Sequence, residues 1–128
     1  MKVNIQTASA PAAVGPYSQA VQHGAMIFCS GQLPIDPASG SVPDGINAQT
    51  AQCLRNLEAV LQAARGGLRT VVKTTVFLKN MDDFAGMNAV YGAVLGEICP
   101  ARSTVEVARL PKDVLIEIEA VAFVDDAV

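Results

Sequence analysis

Hydrophobic and polar positions repeat with two different periods along this chain of 128 residues. From Ile46 to Ala64 the spacing is helical: Leu54, Leu57 and Leu61, flanked by Val60 and Ala64, make one apolar stripe, and Gly66-Gly67 supplies a stop. A second helix is predicted from Asp82 to Leu95, with Asn80 or Asp82 as cap and Phe84, Met87, Tyr91 and Leu95 along one face. Elsewhere the period is two. "TVVKTTVFL", residues 70–78, is β-branched and alternating; "STVEVARL" places Val105 and Val107 on one side and Thr104 and Glu106 on the other. In "VLIEIEAVAFV", Ile116, Ile118, Ala120 and Ala122 share one face, and Glu117, Glu119, Val121 and Phe123 the other.

Near the start, "SQAVQHGAMIFCSG" has a turn at His23-Gly24 between two short apolar runs and reads as a hairpin. "PAAVGPY" before it is an irregular arm, and "GQLPIDPASGSVPDG" after it a long crossing loop. The order β-β-α-β-α-β-β predicts an α+β domain, with both helices packed on one face of a single sheet. The other face has to meet something, and a neighbouring subunit is the economical partner.

Composition sharpens that picture. Hydrophobic residues make up 51% of the chain and charged residues only 16%, against roughly 25% in an average soluble domain. A surface this poor in charge suits a homo-oligomer. A net charge of −3, no basic cluster and 5% aromatic residues argue against nucleic acid as a partner. The absence of a signal-like start or a membrane-length apolar run makes a cytoplasmic protein the default. Cys29, Cys53 and Cys99 are widely spaced, which suits a reducing compartment, and with His23 as the single histidine they offer no zinc motif. No phosphate-cradling glycine pattern is present, so neither a nucleotide cofactor nor a metal is indicated.

Two features carry candidate chemistry. Arg102 stands at the mouth of a strand just after Pro100, where it is either a solvated end, a partner for Glu106, or a fixed anchor for a carboxylate. Glu117 and Glu119 project to one face and raise each other's proton affinity if that face is partly covered; the plain alternative is a solvent-exposed edge. Tyr17 and Ser30 lie near Gly15 and Gly31, where backbone can approach a ligand or simply turn. Asn88 in the second helix is equally consistent with a bond to nearby backbone. Cys29 and Cys99 have no adjacent His or Asp to make them nucleophiles.

The blocks "PAAVGPYSQAV", "SGQLPIDPASG", "NLEAVLQAA", "VVKTTVFLKNMDDF", "MNAVYGAV" and "PARSTVEVARLPKDVLIEIEAVA" occur in order from about Ala10 to Phe123. Together they resemble the reactive intermediate deaminase (Rid, or YjgF) family. The resemblance implies a chorismate-mutase-like fold and a homotrimer with ligand clefts between adjacent subunits. It implies hydrolysis of 2-imino acids such as 2-iminobutanoate and 2-iminopropanoate to 2-oxo acids and ammonia. In that comparison Arg102 holds the substrate carboxylate and Glu117 activates water. Tyr17 closes the cleft, and Ser30, Gly31 and Asn88 line it. Thr104 stands where many bacterial members carry cysteine, keeping a small polar group without a thiol. The segment from Tyr91 to Pro100 is also shorter than in familiar members. The rival readings are a deaminase for another enamine such as 2-aminomuconate, and a non-enzymatic trimer that binds small carboxylates. A ribonuclease or translation-inhibitor role finds no basic surface to support it.

Overall fold

The computed structural model describes residues 1–126. Six strands form one mixed sheet: β1 (Lys2–Ile5), β2 (Ala20–His23), β3 (Met26–Gln32), β4 (Val71–Leu78), β5 (Ala101–Glu106) and β6 (Ile116–Phe123). Their spatial order is β1-β2-β3-β6-β4-β5, antiparallel throughout except for the parallel β4–β5 pair. Helices α1 (Ile46–Ala63) and α2 (Phe84–Leu95) make the second layer. The expected architecture of one sheet with two helices holds, with one strand more than the sequence pattern predicts. β1 is only four residues long, too short to show a period, and forms by pairing with β2.

The layers are held by burial of the predicted stripes. Leu54, Leu57, Val60 and Leu61 of α1 and Met87, Tyr91 and Leu95 of α2 pack onto Ile27, Val76, Leu78, Ile116, Ile118 and Ala122. Each fully buried Leu, Ile or Met contributes roughly 1.5–3 kcal/mol before its ordering entropy is counted. Just past the Ala64 cap of α1, Arg65 takes the left-handed conformation (φ 64°), while Gly66 donates its N–H to Leu61 O at 2.8 Å. The glycine is needed for packing rather than for its φ. A β-carbon on Gly66 would lie 2.8 Å from Ile27 Cδ1 and 3.0 Å from the Phe123 carbonyl.

Three buried polar side chains tie the irregular segments to this frame. Gln19 accepts from Thr7 N at 2.7 Å and donates to Pro11 O at 2.7 Å, which fixes the N-terminal arm. Asn56 donates to Leu33 O and Ile35 O, both at 2.9 Å, and Gln49 donates to Pro43 O at 3.0 Å, so the crossing loop is pinned at both ends. Buried amides fully engaged with backbone in this way stabilise loops that have no ladder of their own.

Candidate active site

The sheet register decides which candidate residues can meet. Phe77 pairs with Glu117 on one side and Val105 on the other, so these three share the face turned away from the helices. Thr74 pairs with Ala120 and Arg102, and Val76 with Ile118 and Thr104. Thr74, Val76, Ile118 and Ala120 are buried under the helices, which puts Arg102 and Thr104 on the helix-side face. Within one chain, Arg102 and Glu117 therefore project from opposite sides of the sheet.

Arg102 lies at the edge of that face, against α2. Its Nη1 donates to Asn88 Oδ1 at 2.8 Å, and its guanidinium carbon sits 4.8 Å from the centre of the Tyr91 ring and 5.5 Å from that of Phe84. Tyr91 is fixed in turn by a 2.7 Å hydrogen bond between its hydroxyl and that of the buried Thr74. Stacking on aromatic faces orients a guanidinium without consuming the donors that a carboxylate needs. Two alternatives from the sequence are thereby corrected. Glu106 is engaged elsewhere, its Oε1 accepting from Met81 N at 2.8 Å, and Asn88 bonds to Arg102 rather than to neighbouring backbone. The strand itself runs from Ala101 to Glu106 instead of Ser103 to Leu110, so Arg102 is inside it and Val107 beyond it. Tyr91, Phe84 and Thr74 were not among the sequence candidates for the site. The signal that could have found them is the helical spacing of Phe84, Asn88 and Tyr91, which sets all three along one side of α2.

Thr104, two residues further along the same face, has a buried Oγ1 with no hydrogen-bond partner among the described residues. An orphaned buried hydroxyl costs about 1–3 kcal/mol.

The second group lies on the open face. Between Cys29 and Gln32 the β3–β6 register shifts by one residue, so Ser30 and Gly31 together oppose Glu119. This bulge opens room beside Glu117. A β-carbon built on Gly31 would fall 2.0 Å from Glu117 Oε2 and 2.7 Å from its Cδ. Glu117 is half-buried, and that burial first, with the charge of Glu119 second, raises its carboxyl above the ordinary carboxylate value. Ser30 Oγ donates to Ser18 O at 2.6 Å and Ser30 N to Gln19 O at 2.9 Å, tying the arm that carries Tyr17 to the bulge. Tyr17 is 54% exposed, and its hydroxyl accepts from Val14 N at 3.3 Å. The open face also carries Phe28, Val105 and Phe123, each about two-fifths exposed or more.

The structure thus sorts these residues into two groups on opposite faces of the sheet. Arg102, against Tyr91 and bonded to Asn88, shares one face with Thr104; Glu117 lies with Gly31 at the bulge on the other, where Ser30 ties in the arm that carries Tyr17. Among the described residues no group of three or more His, Cys, Asp or Glu is placed to hold a metal ion. Cys29 and Cys53 are buried, and Cys99 is exposed. Burial pushes the Cys29 thiol up to about 12, with Glu119 adding to the effect, and raises the Cys53 thiol well above its usual value, with Glu117 adding there.

The chain is similar to known proteins over nearly its whole length. The family model described as Endoribonuclease L-PSP matches residues 7–124. A RutC family protein of Pyrococcus horikoshii is 55% identical over 124 residues, covering 96% of this chain and 98% of the relative. The 2-iminobutanoate/2-iminopropanoate deaminase of Salmonella typhimurium is 52% identical over 125 residues, covering 95% of this chain and 98% of the relative. Among solved structures, a putative endoribonuclease from Thermotoga maritima superposes with a TM-score of 0.94 at 50% identity, over 98% of this chain and 99% of that one. With the family model spanning nearly the whole chain and relatives above half identity, the chain belongs to the Endoribonuclease L-PSP family, also known as the YjgF/RutC family.

Proposed function

We propose that the protein is a hydrolytic deaminase that converts 2-imino acids to 2-oxo acids and ammonia, in clefts that close between adjacent subunits of a homotrimer. The observation that carries the reading is the seat of Glu117. A half-buried carboxylate of raised proton affinity lies over a glycine at a bulge, facing the side of the sheet that has no helical cover. The name of the Salmonella relative supports the same chemistry. Arg102 and Glu117 project from opposite faces of one chain, so a single cleft needs one from each of two subunits. The exposed apolar residues around Glu117 are the surface such a contact would bury.

In this cleft Arg102 grips the substrate carboxylate with the donors that Asn88 does not take. Thr104 turns about χ1 to offer its hydroxyl to the same ligand, which relieves the cost of an unpaired buried group. Across the cleft Glu117 orients a water and takes one proton as the water oxygen bonds to C2 of the protonated imine. The C=N π electrons go to nitrogen. Glu117 then returns that proton to nitrogen, the C–N bond breaks, and the hydroxyl of the carbinolamine becomes the 2-oxo group as its proton passes through Glu117 to the departing ammonia. The iminium and one water give a 2-oxo acid and ammonium. The Gly31 backbone and Ser30 wall the cleft beside the nitrogen, and Tyr17, on its exposed arm, covers it.

The test is a coupled assay in which an amino-acid oxidase or a dehydratase generates 2-iminopropanoate or 2-iminobutanoate and oxo-acid release is followed. Acceleration by the wild type that is lost in Arg102→Ala and Glu117→Gln, with assembly intact, establishes the activity. No acceleration by the folded wild type would sink it.

A further inference from the structure

Glu119 has no part in the chemistry just described, yet it occupies a singular place beside the proposed base. It lies two residues along β6 from Glu117, on the same face, at about 7 Å of strand rise. The β3 bulge sets Ser30 and Gly31 directly opposite Glu119, and the absent Gly31 side chain is what leaves room for Glu117 beside it.

Among the described residues of one chain no cation is paired with either carboxylate; across the proposed cleft the adjacent subunit's Arg102 faces Glu117 alike in the wild type and in every Glu119 variant. Lys73 on β4 is on this face, and its Nζ donates to Ser103 Oγ at 3.3 Å; Lys2 and His23 share the face but stand on β1 and β2, beyond β3 and in register with Phe123 rather than with Glu117 or Glu119. From the other side of the sheet, α1 presents the Cys53 thiol, whose Sγ donates to Gln32 O at 3.2 Å, and β3 presents the buried Cys29; neither is a cation. Neither Glu117 nor Glu119 takes part in a salt bridge among the described residues.

We propose that Glu119 is a positioning residue that acts through Glu117: its negative charge makes Glu117 a stronger base than it would be beside a neutral residue. The inference rests on the reading of Glu117 as the water-activating group, but its core is electrostatic and can be measured without turnover. Two charges about 7 Å apart shift a titration by about half a pH unit across water and by more than one unit across a covered surface. Removal of the negative neighbour lowers the midpoint, since a like charge disfavours ionisation.

The experiment is a carbon-13 NMR titration of the Glu117 carboxyl in the full-length assembled protein, with Glu117→Gln to assign the signal. Wild type is compared with Glu119→Gln, Glu119→Ser and Glu119→Asp, and the acid limb of kcat/KM is measured in parallel. A midpoint lower by about half a unit or more in the Gln and Ser variants, and restored in Asp, supports the proposal; the acid limb then moves by the same amount. A midpoint that stays in place in whichever uncharged variant assembles overturns it, whatever happens to activity. A midpoint that falls in a protein with no activity on any imine upholds the coupling and removes the deaminase reading instead.

Discussion

Gly31 and Glu117 compete for one volume: the space a β-carbon would fill on Gly31 lies 2.0 Å from Glu117 Oε2. Gly31→Ala should therefore push the carboxylate away from its seat rather than unfold the sheet, because the obstruction is the far end of a side chain. A displacement near 1 Å costs about a hundredfold in rate when it moves a catalytic group. The expected result is a loss of that order in kcat with a small change in Tm. Equal activity in Gly31→Ala would show that Glu117 does not need this position.

Arg102 should depend on its shape as much as on its charge. Lysine keeps the charge but loses the planar stack on Tyr91 and the fork for a carboxylate. Arg102→Lys is expected to raise KM by about tenfold or more, corresponding to about 1.4 kcal/mol of lost carboxylate binding, and Arg102→Ala to raise it further. Steady-state kinetics at saturating and limiting substrate separate this from a loss in kcat.

The platform under Arg102 can be tested by itself. Tyr91→Phe keeps the ring but leaves the fully buried Thr74 hydroxyl unpaired, which should cost about 1–3 kcal/mol in stability. Adding Thr74→Val removes both polar partners and should recover most of that loss, since replacing a whole buried pair is far cheaper than breaking it. Denaturant unfolding of the two variants and the wild type measures the difference. Little change in KM for Tyr91→Phe would follow from the retained stack.

Much of this was readable from the pattern of residues. Both helices lie within two residues of where their stripes predict them, because each buries an unbroken apolar face. The long loops were legible from proline and glycine, and the carboxylates of β6 from strict alternation. What the pattern does not contain is pairing. β1 exists only as a partner of β2, and β5 ends at Glu106 because its partner β4 ends at Leu78, the residue Glu106 faces. The decisive fact, that Arg102 and Glu117 project to opposite faces, follows from two registers through β4 that no local alternation encodes. The engagement of Asn88 with Arg102 is likewise a contact between segments joined only by the fold.

Stability should carry the mark of Glu117. Its carboxyl is raised in the folded protein above the ordinary value of 4.5, so between those two values the folded state binds more protons than the unfolded one. Stability then falls as pH rises through that window, with Glu117's contribution most favourable below it. Glu117→Gln removes this dependence and should be at least as stable as the wild type at pH 8, while losing turnover. Thermal unfolding from pH 4 to pH 8 checks the sign.

The opposed faces of Arg102 and Glu117 lead to the sharpest test of shared clefts. If one cleft takes Arg102 from one subunit and Glu117 from the next, Arg102→Ala and Glu117→Gln trimers are each inactive alone. Unfolded together in equal amounts and refolded, they form mixed trimers. A cleft is then intact when an Arg102-bearing subunit meets a Glu117-bearing one in the right order, which random assembly provides in about a quarter of clefts. Activity should therefore return to about a quarter of the wild-type level on mixing, and a double variant mixed with wild type should give no such gain over its wild-type share. Were both residues to act from the same chain, mixing would restore nothing, because every subunit would still lack one of them. The recovered fraction thus reads the topology of the site directly, through chemistry that neither variant can perform alone.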